Sequence, residues 1–247
     1  MKGAWVIGMI ALGSAAIAIL PVLSWPEDRV VASFATSLAG RTPAQRHNAE
    51  LALRRLNGAT VRPGETFSFN ARVGTFSRDQ GYRRAPVSYD GQLIDDWGGG
   101  VCQSSTTLYN AALLAGMNIV ERNHHRFAPG YVEPGRDAAV AFPSIDLRFA
   151  NPYRFPLRIA TRVSGACLLV EFRAEHDLPE QPRIVSTVRE VREPHTFRLG
   201  AGDAPFRVRT SGKSGCEVVV TRIEGNRTEE ISHDEYPAMN RVVEGGE

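Results

Sequence analysis

The segment DDWGGGVCQSSTTLYN holds the residues best placed to do chemistry in this chain. Three consecutive glycines let the backbone pass where side chains would clash, as at a sharp entry into a helix. Cys102 then falls at or beside the helix start. There, unpaired N–H groups and the helix dipole favour a thiolate, the nucleophilic form of cysteine. Gly99 and Gly100 line the turn and are expected among the binding residues. Gln103 and the hydroxyls of Ser104, Ser105, Thr106 and Thr107 are candidate donors to a developing oxyanion.

A nucleophilic thiol needs a base. His124 and His125 follow after roughly one helix and one returning strand, a span that brings the chain back beside the helix start. Successive strand residues face opposite sides, so at most one of the two meets Cys102. Asp137 or Asp146 is placed to orient the imidazole and complete a Cys-His-Asp arrangement. The competing interpretation is a buried, inert cysteine, with one histidine exposed and the other bonded within the core. A phosphate cradle at the glycines lacks the lysine of a Walker loop. A zinc site lacks convergent ligands. No metal or cofactor is expected.

The N-terminus indicates a compartment. After Lys2 no charge appears before Glu27, and AWVIGMIALGSAAIAILPVLSW is almost wholly apolar. That run is long enough for a bilayer core of about 20 residues and lacks a good small-x-small cleavage site. An uncleaved membrane anchor is expected over residues 4–25, with the remainder outside the cytoplasm; a cleaved secretory signal and a buried core helix are the alternatives. In an oxidising compartment the three cysteines can pair. Cys167 and Cys216 lie in strand-like runs, and bridging them would close a loop of about 50 residues. Cys102 is then left odd, as a reactive thiol or an intermolecular partner.

With 247 residues, 43% hydrophobic and 23% charged, the chain has ordinary globular composition. A formal net charge of +2 carries no nucleic-acid footprint. A first helix is expected from Thr42 as cap, Pro43 at its first position, Gln45 closing a capping box and Gly58 beyond its end. RPGETFSFN reads as strand with Phe67 and Phe69 alternating, and Asp90-Gly91 as the turn of a hairpin. The helix after the glycines ends near Gly116. From residue 138 onward the pattern is strand-rich, with AAVAF among the strands. The expected class is α+β: antiparallel sheet with two main helices in the N-terminal half and a small all-β C-terminal module. Expected boundaries are 1–25 anchor or signal, 26–41 juxtamembrane linker with a short strand or helical turn at VVASFAT, 42–164 main domain, 165–241 β-rich module and 242–247 tail.

The stretch GGGVCQSSTTLYNAALLAGMNIVERNHHRFAPGYVEPGRDAAVAF, extended by RPGETFSFN upstream and DLRFANPYRFPLRI downstream, resembles the core of VanW-family proteins, named from vancomycin-resistance clusters. The C-terminal stretch from Gly212 resembles the β-rich tail of that family and, more weakly, a G5-type module. The resemblance implies a cell-envelope setting near peptidoglycan. Where the family reads R-H-P-H, this chain has Arg122-Asn123-His124-His125, so the family's second histidine falls on His125 and Asn123 replaces the first. Tyr131, Gly135 and Asp137 match the segment Y-V-x-P-G-R-D. The order Cys, His, Asp is similar to transglutaminase-like and papain-like thiol enzymes. The expectation is therefore a Cys102–His125 thiol enzyme, a hydrolase or transpeptidase, acting on amide bonds of peptidoglycan or cell-wall peptides, with Tyr131 among the binding residues. The alternative is a non-catalytic envelope- or peptidoglycan-binding accessory protein linked to glycopeptide resistance.

Overall fold

The computed structural model describes residues 28–89, 92–200 and 206–245. Strands β1 (Arg29–Ser37), β2 (Thr60–Val61) and β3 (Thr66–Ser68) alternate early with helices α1 (Pro43–Leu56) and α2 (Phe69–Val73). Then come the hairpin β4 (Arg84–Tyr89) and β5 (Gln92–Trp97), helix α3 (Val101–Leu114), β6 (Asn118–Glu121) and β7 (Arg148–Ala150). The remainder is strand: β8 (Leu157–Ser164), β9 (Cys167–Ala174), β10 (Arg183–Arg192), β11 (Thr196–Leu199), β12 (Arg207–Lys213), β13 (Gly215–Glu224), β14 (Arg227–Tyr236) and β15 (Met239–Glu244). Strand outweighs helix, 46% to 16%, so the class is mostly β rather than balanced α+β. The strands form several sheets that are antiparallel apart from the β11–β15 pair.

The capping box at the start of α1 is formed: Gln45 N donates to Thr42 Oγ1 at 3.2 Å, and Thr42 N to Gln45 Oε1 at 3.1 Å. Its inner face buries Ala49, Ala52, Leu53 and Leu56. Helix α3 is buried over nearly its whole length, because it runs through the core against α1 on one side and β1 and β9 on the other. The sheet that receives it has the order β1-β9-β8-β2.

Four expectations are corrected here. Residues 29–37 are not a linker: the short strand allowed at VVASFAT is the nine-residue β1, which pairs with β9 and places Val31 and Leu38 in the core. The expected module boundary at residue 165 falls in the turn of the β8–β9 hairpin, so β9 belongs to the first sheet and the outer sheets begin with β10. Phe69 opens α2 instead of extending a strand, because the Ser68 side chain accepts Ala71 N and caps a helix there; Phe67 and Phe69 are both still buried. AAVAF contributes only isolated bridges, Asn123 with Ala139 and Ala141 with Ile145. The β4–β5 hairpin forms with Tyr89 opposite Gln92, while its Asp90-Gly91 turn lies outside the described residues, as does the apolar run 4–25. Among the described residues no helix is long and apolar enough to cross a membrane.

Candidate active site

Cys102 is the second residue of α3, partly exposed at a helix start that the glycines shape. Gly100 is the N-cap with φ of 105°, a left-handed conformation that costs a side-chain-bearing residue roughly 1–3 kcal/mol. A Cβ on Gly99 would stand 2.6 Å from Ala85 O and 2.8 Å from Pro86 O, so the turn is pressed onto β4. Buried Asn48 of α1 holds it there, donating to Gly99 O at 2.9 Å and to Arg83 O at 2.8 Å. Gly99 and Gly100, expected as binding residues, are thus packing residues that set where the helix begins. The Cys102 N–H is one of the first-turn donors that a helix leaves without an internal partner.

His125 and Asp137 reach the thiol from the loop that follows β6. Asp137 is fully buried, and its Oδ2 accepts both the backbone N–H of His125 at 2.7 Å and the ring Nδ1 at 2.6 Å. With Nδ1 committed, Nε2 is the ring nitrogen left to face Cys102, whose thiol and the imidazole act on each other electrostatically. The thiol also contacts Val140 O at 3.4 Å. Asp146, the other acid considered, is occupied elsewhere, accepting Ser68 Oγ at 2.5 Å and Asn70 N at 2.8 Å at the start of α2. His124 points away, its Nδ1 on His125 O at 2.8 Å and its ring edge against Tyr236.

The electrostatics favour an ion pair. Burial pushes the Cys102 thiol up, but the hydrogen bond and charge of His125 outweigh it and the net shift is downward. For His125, burial opposes the charged form, yet the bonds to Asp137 and Cys102 hold the imidazolium up to about 10. For Asp137, burial raises and the His125 bond lowers, leaving it at about 2. The shifts agree in sense: the imidazolium stabilises both the thiolate and the carboxylate, while the two anions oppose each other more weakly.

The hydroxyl row of α3 has a different role from the one expected. Ser105 Oγ donates to Ala138 O at 2.6 Å, and Thr106 Oγ1 accepts Ala138 N at 3.0 Å. One turn further, Asn110 Nδ2 donates to Arg136 O at 2.7 Å. These side chains clamp the backbone of 136–138 against α3 and thereby place Asp137. Ser104 is bonded to Ala49 O and Thr107 to Thr36. Gln103 is also consumed: Nε2 donates to Thr36 Oγ1 at 3.1 Å and Ser37 O at 2.7 Å, and Oε1 accepts Arg41 Nε at 2.9 Å. Neither Gln103 nor the hydroxyls have a donor left for a substrate. Tyr131, expected as a binding residue, packs beside α3. Its hydroxyl lies 3.5 Å from Thr106, one turn along the Cys102 face of α3, and the Arg41 guanidinium stacks 4.6 Å from its ring centre. Burial and the neighbouring Cys102 charge push its phenol well up.

Two findings had no warning in the sequence. The expected Cys167–Cys216 bridge is absent and all three cysteines are free. The reason is topological: Cys167 opens β9 opposite Ser37 in the first sheet, and Cys216 lies in β13 of another sheet opposite Tyr236. Second, Asp137 Oδ1 is held by Tyr236, from the far end of the chain, and by Arg122. It accepts the hydroxyl of Tyr236 and, at 3.2 Å, Nη2 of Arg122, a side chain only 6% exposed. The other terminal nitrogen of Arg122 meets both oxygens of Asp234 at 2.6 Å.

A family model described as "VanW like protein" matches residues 44–173. Among curated proteins, the uncharacterized protein YoaR of Bacillus subtilis is 39% identical over 137 residues, covering 56% of this chain and 45% of that protein. The vancomycin B-type resistance protein VanW of Enterococcus faecalis is 34% identical over 110 residues, covering 42% of this chain and 40% of that protein. The chain thus spans less than half the length of either relative. A solved structure described as HP0197-G5 overlaps 27% of this chain and 95% of that one at 16% identity, with a TM-score of 0.18, and carries no argument about the tail. Cys102, His125 and Asp137 lie inside the family match; Asp234 and Tyr236 lie beyond it.

Proposed function

The chain belongs to the VanW-like family, and we propose that it is a cell-envelope thiol enzyme in which Cys102 attacks an amide bond of peptidoglycan or a cell-wall peptide. One observation carries the reading: His125 stands between a thiol at a helix start and a fully buried Asp137, with Nδ1 2.6 Å from the carboxylate and Nε2 left for sulfur. In the proposed reaction the Cys102 thiolate adds to the amide carbon. The oxyanion faces the Cys102 N–H at the start of α3, which stabilises negative charge. The C–N bond then breaks as His125 Nε2 gives its proton to the departing amine, leaving a thioester on Cys102. Water or a second amine attacks that thioester, its proton passes to Nε2, and the thiolate departs. Which of the two attacks distinguishes a hydrolase from a transpeptidase.

The setting is proposed from the sequence and the relatives. The apolar run 4–25 is the expected anchor, with the remaining chain extracytoplasmic, or secreted if that run is cleaved. The Enterococcus relative is named as a vancomycin-resistance protein, which supports peptidoglycan chemistry as the partner class.

The test is the pH dependence of iodoacetamide alkylation, followed separately for each cysteine by peptide mass spectrometry. Cys216 is an internal control, because burial pushes its thiol up. Cys102 is expected to react well below pH 8, with Cys216 lagging. If Cys102 reacts with an ordinary midpoint near 8.5, or not at all, the enzyme reading falls and the accessory binding role takes its place.

A further inference from the structure

We propose that Asp234 and Tyr236 of β14 are positioning residues of the thiol site, so that the C-terminal sheet completes a centre whose reacting groups all lie in the family-matched segment; this rests on the thiol-enzyme reading above. Asp137 has two oxygens with divided duties. Oδ2 serves His125 alone, through its backbone N–H and Nδ1. Oδ1 is held from across the fold by the Tyr236 hydroxyl and by Arg122. The same Tyr236 oxygen accepts Gly135 N at 3.0 Å, so one phenol fixes both the acid and the turn that precedes it. Val218 and Val220 of β13 press on Gly135, where an added Cβ would fall within 3.2 Å of Val218 Cγ1. The outer sheet therefore seats the 135–137 segment on one side, as α3 does on the other.

Asp234 has an electrostatic task. Arg122 is buried between Asp137 and Asp234 with side-chain exposures of 6%, 0% and 5%. A lone guanidinium beside Asp137 would neutralise the charge that His125 needs. Asp234, bound through both oxygens, takes up that positive charge and leaves Asp137 a full anion for the imidazolium. The other groups around the site are Cys102 and Tyr109 on α3, Tyr131 and His124 in the loop, Arg136 bonded to Asn110, and Lys213 at the end of β12, whose Nζ donates to Ala128 O. None of these contacts the Arg122 Nη1 that Asp234 occupies.

The experiment is an NMR titration of His125 in the full-length protein, its ring resonance identified by its loss in His125→Ala. Asp234→Asn is expected to lower the His125 pKa by about one pH unit, from the Coulomb energy of one charge at intermediate dielectric. Asp234→Glu is expected to restore it. Tyr236→Phe removes the donor that competes for Asp137 along with the acceptor of Gly135 N–H, while Arg122 and the α3 side chains still hold the segment, and is expected to raise it. An unchanged His125 in Asp234→Asn, or failure of Asp234→Glu to restore the value, overturns the proposal. So does an equal fall in both Asp234→Asn and Tyr236→Phe, which would mark general loosening of the loop. If Asp234→Asn does not fold, Tyr236→Phe decides: a rise supports the proposal, and no change or a fall overturns it. The change between variants reads the Asp137 side of His125, whereas alkylation reads Cys102 directly, so an ordinary Cys102 in alkylation sinks the enzyme reading separately.

Discussion

Replacing His125 by alanine is expected to slow alkylation of Cys102 at pH 6 by at least about tenfold and to move its midpoint above that of the native protein. Two opposed effects act on the thiol, burial raising its pKa and the imidazolium lowering it, and in the native protein the imidazolium prevails. Removing the ring leaves burial and the Asp137 charge opposed only by the weaker contact with Val140 O. A thiol of ordinary pKa near 8.5 is only roughly 0.3% ionised at pH 6, so loss of the pair is read directly in the rate. The same variant lacks the group that protonates the leaving amine, so acyl transfer should fall by a further factor of about 10² or more. Folding should survive, because His125 is partly exposed and the loop keeps its other ties through Arg122 and the α3 hydroxyls. Circular dichroism and the unchanged reactivity of Cys216 would check this. A His125→Ala protein that alkylates at pH 6 like the native one would remove His125 from the mechanism.

Asp137→Asn is expected to reduce turnover by roughly 10³- to 10⁴-fold, the scale seen when a triad acid is made neutral and the imidazole loses its tautomer and charge partner. It also carries a stability signature. The Asp137 carboxyl sits at about 2 in the fold against 3.8 in the free residue. A depressed pKa contributes stability above the unfolded value and loses it as pH falls through the folded one. The native protein should therefore lose about 2 kcal/mol from this group between pH 4 and pH 2, and the asparagine variant should not. Urea midpoints at intervals across that range test this. Parallel slopes for the two proteins would mean that Asp137 is not the anchored anion the geometry indicates.

Much of the site was legible because its signals are local. The capping box of α1, the glycine turn before Cys102, and a histidine returning after one helix and strand are short-range patterns, and each appears in the fold. What misled was chemistry that looks the same in two roles. Ser105 and Thr106 are hydroxyls near a thiol, as an oxyanion hole would have them. On a buried helix, however, a hydroxyl must find an acceptor, and the 136–138 backbone supplies it. Gln103 was misjudged for the same reason, its amide consumed by β1 and Arg41. Around VVASFAT the sequence allows a short strand or a turn within a connection, because a strand half exposed to solvent shows little periodicity; that it is a core strand depends on β9, far along the chain. Tyr236 had no local signal at all, since its bond to Asp137 spans 99 positions and depends on how the outer sheet seats. Cys167 and Cys216 show the converse error. Both are strand cysteines, and only the division into sheets says that they do not meet.

The most direct test of the central claim is to trap the covalent intermediate. Full-length protein would be incubated with peptidoglycan fragments at neutral pH, quenched in acid, digested and examined by mass spectrometry for an adduct on the Cys102 peptide. The account predicts an acyl group of peptide mass joined to Cys102 as a thioester, released by hydroxylamine and absent from Cys102→Ala. It further predicts that the adduct is formed more slowly in Asp137→Asn. An unmodified Cys102 in protein whose thiol is shown by alkylation to be reactive, or an adduct that persists in Cys102→Ala, would contradict it.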